Sequence, residues 1–356
     1  IRDVAEFQLC TGCGACAFVQ PDDIAMVDDL DMGRRPLVRQ VDDQDVDTSR
    51  ALAACPGIGL AHGDLPGDII PELRDSWGPV LEVWEGHAGD DEIRFAGSSG
   101  GAATAFALDA MQHRGHVGTL HIRARQDVPY LNETVLSTTR EELLAATGSR
   151  YAPASPCDRL DLIRDAPGPC VFIGKPCDVA AVAKVCAGDD QLAEQVGLTV
   201  AFFCAGTPTT RGTLELLDAF GIDDPDDLVN LRYRGLGWPG LARAHVRTAD
   251  GIEERTLTYE QSWGAILERH RQWRCYVCAD HTGEFADIAV GDPWYRPVGE
   301  DELGRSLILV RTERGREALR AALASGAIVA EQVAADRVPA SQPGLRKVRG
   351  AVWGRL

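Results

Sequence analysis

The 356 residues are 45% hydrophobic and carry a formal net charge of −18, a composition ordinary for a globular chain of one to three domains. So acidic a chain argues against nucleic acid, whose phosphates demand a basic surface. No apolar run reaches the ~18 residues of a membrane helix, and "GLTVAFFCAG" (197–206), the longest candidate, reads as a buried strand. Eleven cysteines without a visible secretory signal point to a cytoplasmic protein that uses thiols for metal or redox chemistry. The chain opens at Ile1, which leaves a trimmed targeting segment open.

Residues 1–62 form a compact cysteine-bearing unit. In it "IAMVDD" and "RPLVRQV" are expected as two short strands around a turn at Asp31–Gly33, and "VDDQDVD" as a solvated acidic loop. The Pro- and Gly-bearing "HGDLPGDIIPEL" reads as a linker. Residues 63–225 then alternate. "VLEVWEGHA" is a strand, and "AATAFALDAMQHRG" a helix ending at Gly115. "VGTLHIRA" is a strand, "TREELLAAT" a helix, "PCVFIG" a buried strand, "PCDVAAVAKVCA" a helix, "GLTVAFFCAG" a strand and "RGTLELLDAFG" a helix. That alternation predicts an α/β (α+β) fold. From 226 to 356 strands dominate: "LVNLRYRG", "ARAHVRT", "IEERTLTY" and "SLILVRT". "SWGAILERHRQWRC" and "ERGREALRAALASG" read as helices.

Cys10, Cys13 and Cys16 in "CTGCGAC" follow one another at two-residue gaps, so one tight loop can turn three thiolates inward. Cys55, fixed by Pro56, can close the set from a distance. This is the ligand pattern of a bacterial 4Fe-4S cluster in a ferredoxin-like module, and Gly12 and Gly14 let the backbone wrap close to it. Structural zinc is the alternative, but zinc ligands usually come as two separated pairs. A second set comprises Cys177 in "GKPCDVAA", Cys204 in "FFCAG", and Cys275 and Cys278 in "CYVC". If the strands before Cys177 and Cys204 are neighbours, both thiols emerge at one sheet edge, and the CxxC pair completes four ligands. Two buried structural cysteines plus a zinc-type pair remain the other reading.

"FAGSSGGAATAF" places a Gly/Ser turn between an expected strand and a helix. Backbone amides, the Ser98 and Ser99 hydroxyls and the helix dipole would make an anion site. One-electron clusters need a two-electron partner for organic redox chemistry, and a flavin is the usual converter.

"GSSGGAATAF", "GSRYAPAS", "IGKPCDVAAV", "FFCAG", "LRYRGLGWPG" and "CYVCADHTGEFADIAVGDPW" occur in this order over roughly residues 80 to 300. Together they resemble the coenzyme F-420 hydrogenase/dehydrogenase beta-subunit family, whose relatives include iron–sulfur flavin reductases acting on chlorophyll derivatives. The resemblance implies FAD, with Ser98, Ser99, Gly100 and Gly101 holding its phosphates and Asp292 and Trp294 beside its ring. It implies an inner 4Fe-4S cluster on Cys177, Cys204, Cys275 and Cys278, and it points to Lys175 as a cation favouring reduced flavin. Arg150 stands where many members have lysine, which keeps the charge and alters its geometry.

Arg269, Arg271 and Arg274 near the CxxC could form a docking collar for an acidic donor or a solvated helix face. Arg232, Arg234 and Trp238 suit a phosphate- or carboxylate-bearing ligand, or brace a loop. Cys157 is either redox-active or structural, His270 and His281 are proton donors or structural groups, and Cys170 and Cys186 read as core. The combined expectation has three parts: an N-terminal iron–sulfur module, a FAD-binding domain, and a C-terminal part completing the inner cluster and flavin site. Such a protein would be an oxidoreductase passing electrons from ferredoxin or another donor through two 4Fe-4S clusters to FAD and a small organic acceptor. The alternative is an electron-transfer beta subunit, or a deazaflavin oxidoreductase, feeding a partner enzyme. A homo-oligomer or a partner subunit is compatible with either.

Overall fold

Strand side chains alternate between two apolar cores, and that alternation builds a sheet covered on both faces. The computed structural model describes residues 1–352 apart from 42, 43, 64, 66, 298, 300 and 301. Two residues of the expected acidic loop (42, 43) and two of the expected linker (64, 66) therefore lie outside the described residues. The sheet has eight strands, in the order Ile328–Gln332, Glu82–Ala88, Ser306–Val310, Ile288–Gly291, Val196–Phe202, Cys170–Gly174, Gly118–Ala124 and Asn132–Ser137. The four strands from Ile288–Gly291 to Gly118–Ala124 are parallel neighbours, and the flanking ones pair antiparallel. The fold is thus a mixed α/β one, as the alternation predicts.

Val171, Val200 and Ile308 point into a core with Phe106 and Leu319, beneath the helices Ala102–His113 and Glu313–Ser325. Phe172, Ala201 and Leu307 point the other way, toward Val179 and Val182 of the helix Pro176–Cys186. Local chemistry sets the helix ends. The Thr312 hydroxyl accepts from Gly315 N at 3.1 Å, and Gly326 closes the far end at φ 78°. Pro176 opens its helix behind Lys175, whose backbone N–H donates to Asp178 Oδ2 at 2.9 Å.

A side lobe packs the antiparallel strands Leu228–Arg232, Ala242–Thr248 and Gly251–Leu257 with the helix Thr210–Ala219 around their own core. The N-terminal residues form the hairpin Ile24–Asp29/Gly33–Val38 and the short helices Arg2–Glu6, Ala15–Val19 and Ser49–Ala53. This part is tied to the main body by Ser155, whose hydroxyl donates to Gly12 O at 2.7 Å, and by the Arg34–Asp158 pair at 3.3 Å.

Three expectations need correction. The segment before the Gly/Ser turn is the helix Asp91–Ala96, not a strand. The Asp90 carboxylate accepts from Glu92 N (2.9 Å) and Ile93 N (3.2 Å), and acids fill the first turn. "SWGAILERHRQWRC" is not one helix. It breaks into the turns Glu260–Gly264, Leu267–His270 and Trp273–Tyr276, because Arg271 is drawn into a β-bridge with Pro208. The edge strands Asn132–Ser137 and Ile328–Gln332 carry too little apolar alternation to be read from sequence.

Burial pushes Asp158 up to about 6, against the lowering by Arg34 and Arg159. The folded state therefore holds a proton that the unfolded chain releases near pH 4. Stability from this group is full below pH ~4 and is lost as pH rises to about 6. Asp158→Asn should flatten that segment of the curve relative to the unmodified protein, by an amount on the order of 1–3 kcal/mol, read from urea midpoints across pH 3.5–7.

Candidate functional site

Three features meet where the parallel strands end, at their C-terminal edge, the usual place for ligands in such sheets. The outermost is the N-terminal cysteine loop. Gly12 (φ 75°) and Gly14 (φ 90°) bend it through conformations that favour glycine, and Gly14 opens the helix that carries Cys16. Cys55 arrives just past the helix Ser49–Ala53. Cys10, Cys13 and Cys16 are buried and Cys55 half-buried. Gly12 N donates to Cys10 Sγ at 3.3 Å. Burial pushes Cys10 up to about 11 while Arg35 pulls it down. Cys16 is raised by burial and then by Cys13, Cys10 and Cys55, so the four thiols share one electrostatic site. Cys13 alone is lowered, chiefly by its hydrogen bond with the buried Cys157.

A Cβ on Gly14 would stand 2.7 Å from Asp158 N and 2.8 Å from Asp158 Cβ. Gly14→Ala should therefore cost ~1–3 kcal/mol and loosen the loop from the main body. A thermal melt of the metal-free protein checks the first effect, and the iron content of the loaded protein the second.

The second feature is a small cavity walled by Cys177, Cys204, Cys275 and Cys278 together with Thr11, Gln272 and Arg274. The strands Cys170–Gly174 and Val196–Phe202 pair in parallel, and Cys177 and Cys204 follow their ends. The short helix Trp273–Tyr276 brings in the CxxC pair. Thr207 N donates to Cys275 Sγ at 3.3 Å, and Cys278 Sγ donates to Asp280 O at 3.0 Å. Burial pushes Cys204 and Cys278 up to about 12 and also raises Cys177 and Cys275. Thiols of this kind bind metal only by releasing their protons.

The third feature is a cavity of about 290 Å³, at the lower end of the size range of ligand sites. The start of the helix Ala102–His113, Lys175, Tyr259, Asp292 and Trp294 stand in its wall. Cys204, Gly206 and Thr207 line this cavity and the cysteine-walled one alike. Trp294 stacks on Trp238 with ring centroids 5.2 Å apart, and on Tyr259 at 6.0 Å. Arg234 donates two hydrogen bonds to Asp292, both at 2.9 Å, and Trp238 Nε1 donates a third at 2.7 Å. Lys175 Nζ bonds Asp178 Oδ2 at 2.7 Å. Burial works against its charge, but Asp178 and Cys177 outweigh burial and raise its pKa.

Several side chains expected to face a ligand are hydrogen-bonded within the chain. Ser98 Oγ accepts from Ser149 N at 2.6 Å, Ser99 Oγ donates to Arg305 O at 2.5 Å, and the buried Gly100 N donates to Ser306 Oγ at 3.0 Å. Arg150 donates to Asn132 Oδ1 and to the carbonyls of Leu231, Pro129 and Leu131. Gly101 (φ 73°) begins the helix Ala102–His113, whose first-turn amides lack intrahelical acceptors. Of the three arginines near the CxxC, only Arg274 lines the cysteine-walled cavity. Arg269 pairs with Glu215 at 2.6 Å, and Arg271 with Glu268 at 3.3 Å. His270 bonds Glu215 at 2.6 Å and His281 bonds Cys204 O at 2.9 Å. Arg232 Nη1 donates to Ala96 O at 3.0 Å, bracing a loop. Sequence reasoning missed Tyr259, Gln342 and Leu345 on the large cavity, and Arg35 and Gln272 near the cysteines. None of these sits in a motif of its own.

Both cysteine sets fit an iron–sulfur cluster in donor chemistry: four thiols each, with backbone amides directed at sulfur. Among the described residues no group of three or more His, Cys, Asp and Glu converges tightly enough for a single ion, while a cubane holds its thiolates around a wider cage. The large cavity fits a flat anionic group, with an aromatic stack on one side and a helix N-terminus on another.

Residues 83–160 match the N-terminal region of the family described as "Coenzyme F420 hydrogenase/dehydrogenase, beta subunit", and residues 169–336 match its C-terminal region. The chain is 26% identical to the beta subunit of the coenzyme F420 hydrogenase of Methanosarcina barkeri, over 67% of this chain and 77% of that protein. It is 23% identical to the F-type subunit of the F(420)H(2) dehydrogenase of Methanosarcina mazei, over 89% and 83%. An uncharacterized protein of Methanocaldococcus jannaschii matches at 22% over 93% and 91%. A chain of the F420-reducing [NiFe] hydrogenase complex of Methanosarcina barkeri shares the fold, with a TM-score of 0.58, 22% identity, and coverage of 78% of this chain and 90% of that one. With the two matched segments spanning more than half of its length, the chain belongs to the coenzyme F420 hydrogenase/dehydrogenase beta-subunit family.

Proposed function

We propose that this protein is an iron–sulfur flavoprotein oxidoreductase, with a ferredoxin-like 4Fe-4S module over residues 1–62, a FAD-binding domain over 63–225 and a C-terminal part over 226–356 that completes the inner site. The observation that carries the reading is continuity. Thr11 of the outer cysteine loop stands in the wall of the inner cysteine cavity, and Cys204, Gly206 and Thr207 form a partition shared with the large cavity. Bound there, two clusters and a flavin would supply one-electron conduction and its conversion to two-electron chemistry on an organic acceptor. The chain's own residues have definable tasks. Cys10, Cys13, Cys16 and Cys55 would hold one cluster, and Cys177, Cys204, Cys275 and Cys278 the other. Trp294 and Tyr259 would offer a stacking surface, and the first turn of the helix Ala102–His113 would meet a phosphate. Lys175, fixed by Asp178, would hold a positive charge against the partition and favour an anionic reduced ring.

Anaerobic counting of iron, sulfide and flavin tests this. About eight irons and one FAD per chain are expected. Four irons would reduce the reading to one cluster, and zinc without flavin would refute it. The names of the relatives favour a second reading, an electron-transfer subunit of a larger assembly. Inactivity of the isolated loaded chain, with activity restored by a co-purifying catalytic partner, would decide for it. The donor, ferredoxin or another, is read from the same assay. No described helix is long and apolar enough to cross a membrane.

A further inference from the structure

Arg35 is a buried cation set between the two cysteine sites. It lies on the inner face of the hairpin strand Gly33–Val38 and is only 5% exposed. Its Nη1 stands 3.8 Å from where a Cβ would project from Gly12, inside the outer cysteine loop. Both Nη1 and Nη2 donate to Gln272 Oε1 at 3.1 Å, and Nη1 also donates to Arg34 O at 2.8 Å. Gln272 stands in the wall of the inner cysteine cavity, and its carbonyl accepts from Cys275 N at 3.0 Å. Arg35 therefore touches the outer loop directly and reaches the inner site through one side chain.

The guanidinium has no carboxylate within ion-pair distance among the described residues, and its Nε is buried without a partner. A buried charge left in that state is costly, and a fold retains it where an anion lies nearby. Burial lowers the pKa of Arg35, while Cys10 from one set and Cys275 from the other oppose that effect along with Asp29. The anions that balance it are thus thiolates from both sites. The geometry points to Arg35 as the shared counter-cation of both clusters, a positioning residue whose charge raises the reduction potential of each and whose bond to Gln272 fixes their spacing. The inference rests on the two-cluster reading above.

Fixed positive charge favours the more reduced, more negative cluster, so its removal makes both clusters harder to reduce. The full chain, loaded anaerobically, is titrated with dithionite and followed by electron paramagnetic resonance. Arg35→Gln should shift both midpoint potentials downward, while Arg35→Lys, which keeps the charge, should restore them most of the way. Gln272→Glu sets a carboxylate on the guanidinium and should lower the outer cluster's potential too, although that cluster lies on the far side of Arg35. Unmoved potentials in a fully loaded Arg35→Gln protein, or a shift at one cluster only, would overturn the inference. If Arg35→Gln loads incompletely, an unmoved outer potential in Gln272→Glu overturns it as well. A low iron count in the unmodified protein sinks the two-cluster reading itself, so the two failures are told apart.

Discussion

Cys177→Ala is expected to cost about four irons per chain, roughly half the total, while the outer set still loads. Cys177 stands at the start of the helix Pro176–Cys186, and the other three inner thiols come from separate segments. Removing one ligand leaves three thiols that burial already holds in their protonated form, with Cys204 and Cys278 near 12. Without a cluster to stabilise the thiolates, nothing offsets that burial. Because Cys204 also walls the large cavity, electron passage should fall much further than iron content. Iron and sulfide analysis, with the spectrum of the remaining outer cluster, checks the first effect. Stopped-flow reduction of the bound flavin checks the second. Loss of all iron would show that the two sites assemble as one unit.

Asp292→Ala should have the largest effect on stability. Arg234 is only 3% exposed and gives Asp292 two hydrogen bonds, while Trp238 gives a third. Burial alone would lower the pKa of Arg234, but Asp292 overrides it and raises it, so the pair is charged when folded. Deleting the carboxylate strands a buried guanidinium, at a cost of about 3–5 kcal/mol. Asp292→Asn keeps acceptor capacity for Trp238 and Arg234 and should cost less. Arg234 also stands over the Tyr259 and Trp294 rings at 5.0 and 5.5 Å, so its release should disturb the aromatic wall. Urea unfolding of the metal-free proteins reads the stability, and flavin retention after gel filtration reads the wall. If Asp292→Ala is as stable as the unmodified protein, the pair contributes nothing net.

Much of the chemistry was legible because it rests on residue type and local spacing. "CTGCGAC" must form a tight loop whatever follows it, and the two glycines do adopt φ 75° and 90°. Cys177 and Cys204 each follow a buried strand, and the pairing of those strands in parallel brings both thiols to one edge. Other parts were hidden. Asp292 gave no local sign that its partners would be Arg234 and Trp238, more than fifty residues earlier. Ser98 and Ser99 look like anion ligands in a Gly/Ser turn, yet their hydroxyls join Ser149 and Arg305 across the fold. Arg35 is an unremarked residue of a hairpin until Gln272, 237 positions later, meets it.

By itself, then, the sequence determined the α/β alternation, the two sets of cysteines and the glycine-bent loop, since propensity, periodicity and ligand spacing act over a few residues. Only the tertiary structure decided which buried charges face one another, which hydroxyls are already taken, and that one partition separates the inner cysteines from the large cavity. Those outcomes depend on packing between segments far apart in the chain, where burial turns a polar group's choice of partner into a matter of several kcal/mol.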